Sequence, residues 1–452
     1  MEQGPGRGRA TPPLASGVAW ADEPYHVEVS VDRYLDSEIT QQELTSMWPR
    51  VWQVACSLDH VAQPGDVFEH RCGPLSVLVV RGDDGALRGF QNVCRHRGNL
   101  LCQGAAQGLT ELRCGFHNWS WNLSGALREV PSRRAFGGLR NDNLPLIPVA
   151  VDTWGPLVFV NLDLDGAAAE PLDAWLEGVP ADTAWVGIDD FRCGVTTTTP
   201  VSCNWKVVAE GFSETYHVPG LHPEMAVSFD ELHAPQHLWD RHAVSYQTYG
   251  VPSPRLGGRA GGITDAEVWE SFCLTQGGRL GLDPDTTMPM PAAEPGQGAY
   301  ELLAAAIRGD AAGRGVDLSA FDDDDIMGLR QYNLFPNATV LVSADSFNVL
   351  VARPSERVDR AELHTMHFRR QPTGAPHTPP PSVVNPLDGE RLGVVFNQDV
   401  RVMAAIQRGM AQPGLTHTVV SSEERRILNS HRVMAGYLGT EPPNWPPPGH
   451  TA

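Results

Sequence analysis

Four side chains in two short loops limit what this chain can fold into. Cys94-Arg95-His96 gives C-x-H, and seventeen residues later Cys114-Gly115-Phe116-His117 gives C-x-x-H. Each loop carries one thiol and one imidazole, so any fold that uses them must bring two separate turns to one point. The texture around them is β. VWQVACSL, GDVFEHRC, LSVLVVRG, GALRGFQNVC and ELRCGF are short apolar runs parted by PGD, CGP and GDDG turns, and LPLIPVAVDTWGPLVFVNLD continues the pattern to about Asp165. Two thiolates and two imidazoles can hold a [2Fe–2S] cluster, with the cysteines on one iron and the histidines on the other. The neutral imidazoles make the iron they bind easier to reduce. Zinc is the rival ligand for a Cys2His2 set. Zinc-finger spacing, however, pairs Cys with Cys and His with His, whereas here each loop carries one of each. Trp119, two residues past His117, is predicted to shield the site from solvent.

A second stretch, Asn204–His222 (NWKVVAEGFSETYHVPGLH), carries the other candidate chemistry. Glu210, Glu214 and His217 are spaced four and three apart and would share one face of a helix. Val218-Pro219-Gly220 is expected to break that helix and turn the chain, with His222 directly after the turn. Two histidines so arranged can converge on a metal, although a bare HxxxxH is more often two ordinary histidines near a helix end.

The remaining chain gives the frame. At 452 residues it is long enough for two or three domains. A net charge of −20 argues against nucleic acid and against an anionic membrane surface. No apolar run approaches the ~20 residues of a membrane helix. MEQGPGRGRATPPLAS lacks a hydrophobic signal core, which predicts a cytoplasmic chain. Eight cysteines are too few for a disulfide scaffold. Cys56, Cys72, Cys102, Cys193, Cys203 and Cys273 lack ligand spacing and are expected to be small buried hydrophobes. Residues 1–20 are Gly/Pro/Ala-rich and predicted to be disordered. Residues 31–50 read as helix with a cap near Ser37 or Thr40, DGAAAEP as a linker, and FRCGVTTTTPVSC as a strand. Residues 250–300 are Gly/Pro-rich without clear periodicity and read as a long surface insertion, placed to cover a pocket. Helices are expected at AYELLAAAIRGDAAGRG, from the DDDDI run, at GERLGVVFNQDVRVMAAIQRGMAQ and at EERRILNSHRVMAGYL. NATVLVSADSFNVLVARPS and RAELHTMHFRRQ read as two strands. His364 and His367 on the latter are expected to be packed structural histidines before pocket-lining ones. His233, His237 and His242 carry no carboxylate pattern that assigns them. No G-x-G-x-x-G follows a strand, so nicotinamide would act only through another protein.

NVCRHRG, CGFHNWSWNLSGAL, the NWK and E-x-x-x-E-x-Y-H run ending at His222, and FNQDVRVMAAIQRG occur here in one order over most of the chain. In this the chain resembles the oxygenase components, or α subunits, of the Rieske non-haem iron oxygenases. The resemblance implies an α+β fold. An N-terminal all-β Rieske [2Fe–2S] domain would occupy residues 46–165. A helix-grip (START/Bet v 1-like) catalytic domain with an antiparallel sheet around an apolar pocket would occupy 166–452, with residues 1–45 packing on it. It implies that Cys94, His96, Cys114 and His117 hold the cluster, and that His217, His222 and Asp399 hold one mononuclear Fe(II). Two His and one carboxylate leave open positions for O2 chemistry, but Asp399 is singled out among 54 acidic residues by the resemblance alone. Glu214 stands where relatives usually carry aspartate, and is implied to bridge a cluster histidine of one subunit to the iron-binding His217 of the next. Gly211 stands where relatives often have asparagine.

The implied function is that of a terminal oxygenase. It would use O2 and NAD(P)H-derived electrons, delivered by a ferredoxin or ferredoxin reductase, to mono- or dihydroxylate a small apolar aromatic or alicyclic substrate, as a homotrimer. An O- or N-demethylase of the same family is the alternative. A pure Rieske electron carrier would not need the second half of the chain, and a lipid-binding helix-grip carrier would lack the His/His/Asp set.

Overall fold

A computed structural model describes residues 24–162, 170–389 and 392–445. The stretch 1–20 and most of the linker read at 165–171 lie outside the described residues. The chain divides into two compact units. One comprises Thr40–Trp175 with Pro376–Pro381, and the other holds the rest. The boundaries fall at 39/40 and 175/176, about six and about ten residues from those read at 45/46 and 165/166.

The first unit is built on a seven-stranded antiparallel sheet, in which Gln53–Ser57, Leu157–Asn161, Pro148–Trp154, Leu87–Gln91, Leu75–Arg81, Val67–Cys72 and Ala105–Ala106 lie side by side. A smaller three-stranded sheet (Leu112–Arg113, Ser120–Trp121, Leu127–Glu129) carries the second Cys/His loop. Val67, Leu78, Val80 and Phe90 pack in one core with Trp119, Trp121, Cys94 and Cys114. His377, in the detached Pro376–Pro381 segment, pairs with buried Asp59 (2.8 Å).

The second unit is organised by a nine-stranded sheet. Its main path runs Phe229–Asp230, Ala243–Tyr249, Gly328–Leu334, Ala338–Val342, Ser346–Pro354, Ala361–Arg370, Phe191–Val201, Ser382–Val384. All these pairings are antiparallel except the last, which is parallel. NATVLVSADSFNVLVARPS is two strands and not one, because Ser343 to Asp345 reverse the chain between Val342 and Ser346. Residues 31–50 are helical turns over 32–50, and the cap is Asp36, whose Oδ1 accepts from Glu38 N–H (2.7 Å), in place of Ser37 or Thr40. Asp322 caps a short helix as the acidic run implied.

Residues 250–300 are not a mere surface insertion. They contain a helix, Asp265–Gln276, closed at its start by a Thr264/Glu267 capping box and burying Val268, Trp269, Phe272 and Cys273. Its caps are ordinary helix signals, but the Gly/Pro density on either side hid them. The helix starting at Trp205 does not reach His217. Asn204 caps it by accepting from Lys206 N–H (3.0 Å), worth about 1 kcal/mol, and it ends at Gly211. Val218-Pro219-Gly220, expected to break a helix, opens a second one, Val218–Leu221, with His217 at its N-cap. Proline is tolerated there because the first N–H groups of a helix have no internal acceptor.

Candidate metal centres and cavity

The two Cys/His loops share one backbone solution. In the first, Cys94 N–H donates to Asn99 O (2.8 Å) and Gly98 N–H returns to Cys94 O (3.0 Å). In the second, Cys114 N–H donates to Trp119 O (2.8 Å) and Asn118 N–H returns to Cys114 O (3.0 Å). Both turns need a left-handed residue four positions after the cysteine, and Gly98 (φ +80°) and Asn118 (φ +59°) supply it. The turns bring the four side chains together. The two thiols lie close enough that each shifts the other's pKa. The His96 and His117 rings lie 4.7 Å apart. Trp119 is buried and stacks flat on His96 (4.9 Å, 5°), covering the site as the sequence implied. His96 Nδ1 is enclosed and has no hydrogen-bond partner among the described residues. An orphaned buried nitrogen beside two adjacent thiols is costly unless a metal takes it. Burial raises the Cys114 thiol, but N–H groups of Phe116 and His117 outweigh it and hold its pKa below the ordinary value. The donor set fits a Rieske [2Fe–2S] cluster.

In the second unit His217, His222 and Asp399 offer ligand atoms that all lie within 4.8 Å of one another. Nε2 of His222 is 3.0 Å, and Nε2 of His217 3.8 Å, from Asp399 Oδ1. Asp399 sits on the helix Val394–Met410, whose buried face runs Asp399, Val400, Met403, Ala404, Gln407, Met410. Gln407 accepts from Asn204 N–H (2.9 Å) and so ties this helix to the start of Trp205–Gly211. The other nitrogen of each histidine is held. His217 Nδ1 meets Glu214 Oε1 at 2.5 Å, and His222 Nδ1 meets Gln398 Oε1 at 2.6 Å. Gln398 is fixed in turn by Glu224 (2.6 Å). Both Nδ1 atoms are therefore donors, and both Nε2 lone pairs point at the shared centre. Burial lowers the His217 pKa, but Glu214 and Asp399 outweigh it and leave it above the ordinary value. The cage favours a cation, and its donors fit Fe(II).

Sequence reasoning missed Gln398 and Glu224, although Gln398 directly precedes Asp399. Glu210, predicted to share a face with Glu214, instead bonds Tyr34 Oη (2.9 Å) and His431 Nε2 (2.9 Å). An added Cβ at Gly211 would meet nothing closer than Met403 Cε at 3.6 Å, so packing does not demand glycine there. His233 pairs with Asp230, His237 stands edge-on to Trp239, and buried His242 accepts from Phe335 N–H; none joins the metal set. His364 is a packed histidine bonded to Thr198 (2.9 Å).

The triad opens on a cavity of about 730 Å³. Phe212, Met225, Leu329, Leu341 and Phe396 give it apolar wall, as does Cys273 from the missed helix. It is not the wholly apolar enclosure the resemblance implied. The sheet adds Gln247 and Gln331, bonded to each other at 2.8 Å, and Asn348 and His367, bonded at 3.2 Å. His367, expected first as a packed structural residue, is a wall residue of this cavity.

Comparison with known proteins agrees with this anatomy. Residues 51–150 match the Rieske [2Fe-2S] domain model, and residues 188–440, more than half the chain, match the ring hydroxylating alpha subunit (catalytic domain) model. The chain belongs to the family of Rieske ring-hydroxylating oxygenase α subunits, whose members combine a [2Fe–2S] domain with a mononuclear-iron, O2-using catalytic domain. The carnitine monooxygenase oxygenase subunit of Acinetobacter baumannii is 26% identical over 196 residues, covering 43% of this chain and 52% of the relative. The glycine betaine monooxygenase oxygenase subunit of Pseudomonas aeruginosa is 29% identical over 194 residues (42% and 44%). Biphenyl 2,3-dioxygenase subunit alpha of Rhodococcus jostii is 31% identical over 195 residues (41% of each). The matched stretch spans about half of these relatives' length. In fold, the chain is similar to a quaternary ammonium Rieske monooxygenase solved with L-carnitine (TM-score 0.62, 17% identity, 94% of this chain and 97% of that one). It is also similar to naphthalene 1,2-dioxygenase with indole bound (TM-score 0.64, 16% identity, 92% of each).

Proposed function

We propose that this chain is the oxygenase component of a multicomponent Rieske system and that it oxidises a C–H bond of a small polar molecule. Cys94, His96, Cys114 and His117 would hold the cluster, and His217, His222 and Asp399 the Fe(II). The observation that carries the proposal is the His/His/Asp set opening on a cavity of about 730 Å³, in a chain that also bears the four-ligand Cys/His site. When bound, the iron supplies the redox chemistry for O2 activation. The protein's part is to aim two imidazoles through Glu214 and Gln398 and to hold the substrate against the sheet. Electrons would arrive from a ferredoxin or reductase. Glu214 would also couple a neighbouring subunit's cluster to His217, in a homotrimer.

The substrate reading departs from the apolar one. Gln331 is bonded by Gln247, Arg426 and Phe212 O, but Asn348 and His367 each keep one polar atom on the cavity wall that would lose water to a hydrocarbon and gain nothing, at about 1–3 kcal/mol per unpaired group. A polar substrate satisfies them. This supports monooxygenation or N-demethylation, in line with the relatives named for carnitine and glycine betaine, over hydrocarbon dihydroxylation. The test is turnover with a reductase under labelled O2 on a panel of carnitine, glycine betaine, choline, naphthalene and biphenyl. Label in products of the polar members alone supports the reading, and label only in the hydrocarbons overturns it.

A further inference from the structure

Antiparallel pairing sets one row of side chains across the middle of the sheet. Gln331 lies opposite Leu341, Leu341 opposite Asn348, Asn348 opposite His367, and His367 opposite Val195. All five line the cavity that opens on His217, His222 and Asp399. Within this row Asn348 and His367 are locked together, Oδ1 to Nδ1, at 3.2 Å. That bond uses one polar atom of each residue and leaves one over. Neither His367 Nε2 nor Asn348 Nδ2 has a hydrogen-bond partner among the described residues. Neither is among the enclosed atoms that lack a partner, so both reach the open space of the cavity. Phe396, one turn before Asp399, stands 6.4 Å from the His367 ring and connects this wall to the iron-binding helix.

The chemistry of the two free atoms is linked. With Asn348 Oδ1 accepting, His367 Nδ1 carries the proton, Nε2 is an acceptor and the amide Nδ2 is a donor. Turning the amide over reverses every role at once and still leaves one donor beside one acceptor. Burial holds the His367 pKa at about 4, so the imidazole is neutral at working pH and keeps its lone pair.

We propose that Asn348 and His367 form a substrate-recognition pair for a neutral group that donates and accepts hydrogen bonds at adjacent atoms, the chemistry of a cis-amide. This rests on the reading that the cavity beside the His/His/Asp set is the substrate site. Gripping that group on the sheet would present the rest of the molecule to the iron-binding helix. A site built on a donor–acceptor pair rejects an analogue lacking the match, because its own buried polar groups are then left unpaired.

The experiment is a calorimetric titration of the holoenzyme, anaerobic and with its cluster reduced, using three bicyclic probes of similar size. 2-Quinolone has a donor beside an acceptor, N-methyl-2-quinolone keeps the acceptor and loses the donor, and naphthalene has neither. The expected result is that 2-quinolone binds about tenfold or more tighter than either of the others. In Asn348→Leu and His367→Phe that preference falls to roughly threefold or less while naphthalene binding holds, and His367→Gln, which restores a polar head, recovers part of it. Equal binding of the three probes to the wild type, or a preference that survives in both apolar variants, overturns the proposal. Iron is counted in the same samples. A wild type without mononuclear iron would be a failure of the functional reading, whereas iron present without the preference would be a failure of this inference alone.

Discussion

The two candidate metal sites are built on opposite plans. The Cys94/His96/Cys114/His117 site is local: two turns of the same backbone form, each closed by the same pair of hydrogen bonds, on strands of one small β unit. Its proposed ligands also serve the core, since Cys94 and Cys114 pack with Trp119 and Trp121. The His217/His222/Asp399 site is long-range: Asp399 lies 177 residues from His222, and each imidazole is aimed by a separate side chain. A site made of turns can be specified by a motif. A site made of packed helices exists only once the fold does, and it depends on residues that never touch the metal.

That difference can be broken by substitution. The largest effect is expected at Asp399. Asp399→Ala should lower product formation to background and leave the reduced-cluster EPR signal at wild-type intensity; loss of the signal as well would mean the two sites are not separate. Glu214→Gln comes next. At saturating Fe(II) both sites should fill, yet single-turnover oxidation of the pre-reduced cluster should nearly stop, while Glu214→Asp retains part of the rate. A wild-type rate in Glu214→Gln would remove this residue from the electron path.

Gln398→Leu should have a smaller effect. It takes the acceptor from His222 Nδ1 and should weaken Fe(II) binding about 10- to 100-fold, read by titrating the apo site with the cluster intact. Unchanged affinity would show that packing alone aims His222. The smallest effect is on stability. His367 is held at about 4 by burial against an ordinary 6.5. Its folded pKa is the lower, so the unfolded chain takes the extra proton as pH falls. Stability should therefore drop between about pH 6.5 and pH 4 and be unaffected by this group above that window. His367→Gln should lose that part of the slope in denaturant titrations.

The same contrast explains what could be read before the fold was known. The proposed cluster ligands are legible because spacing carries the chemistry. His217 and His222 are legible as a spacing, but the helix expected to carry Glu210, Glu214 and His217 stops at Gly211, and Pro219 starts a helix here where it was expected to end one. Asp399 came from resemblance, and the fold then shows it on the buried face of its helix with Val400 and Met403 and not as a solvated carboxylate. Gln398, Glu224 and the Asn348–His367 pair were illegible, because strand register brings Asn348 opposite His367 and no local pattern announces it. The helix Asp265–Gln276 was lost to the composition around it.

The central claim is that one chain carries two metal centres with separate ligand sets. The direct test is metal analysis and EPR on wild type, Cys94→Ser and His217→Ala purified side by side. Cys94→Ser should lose the Rieske signal and the cluster's iron while keeping mononuclear iron. His217→Ala should lose only the mononuclear iron and keep the signal at full intensity. If His217→Ala holds as much iron as the wild type, or if either substitution empties both sites, the assignment of these two ligand sets is wrong.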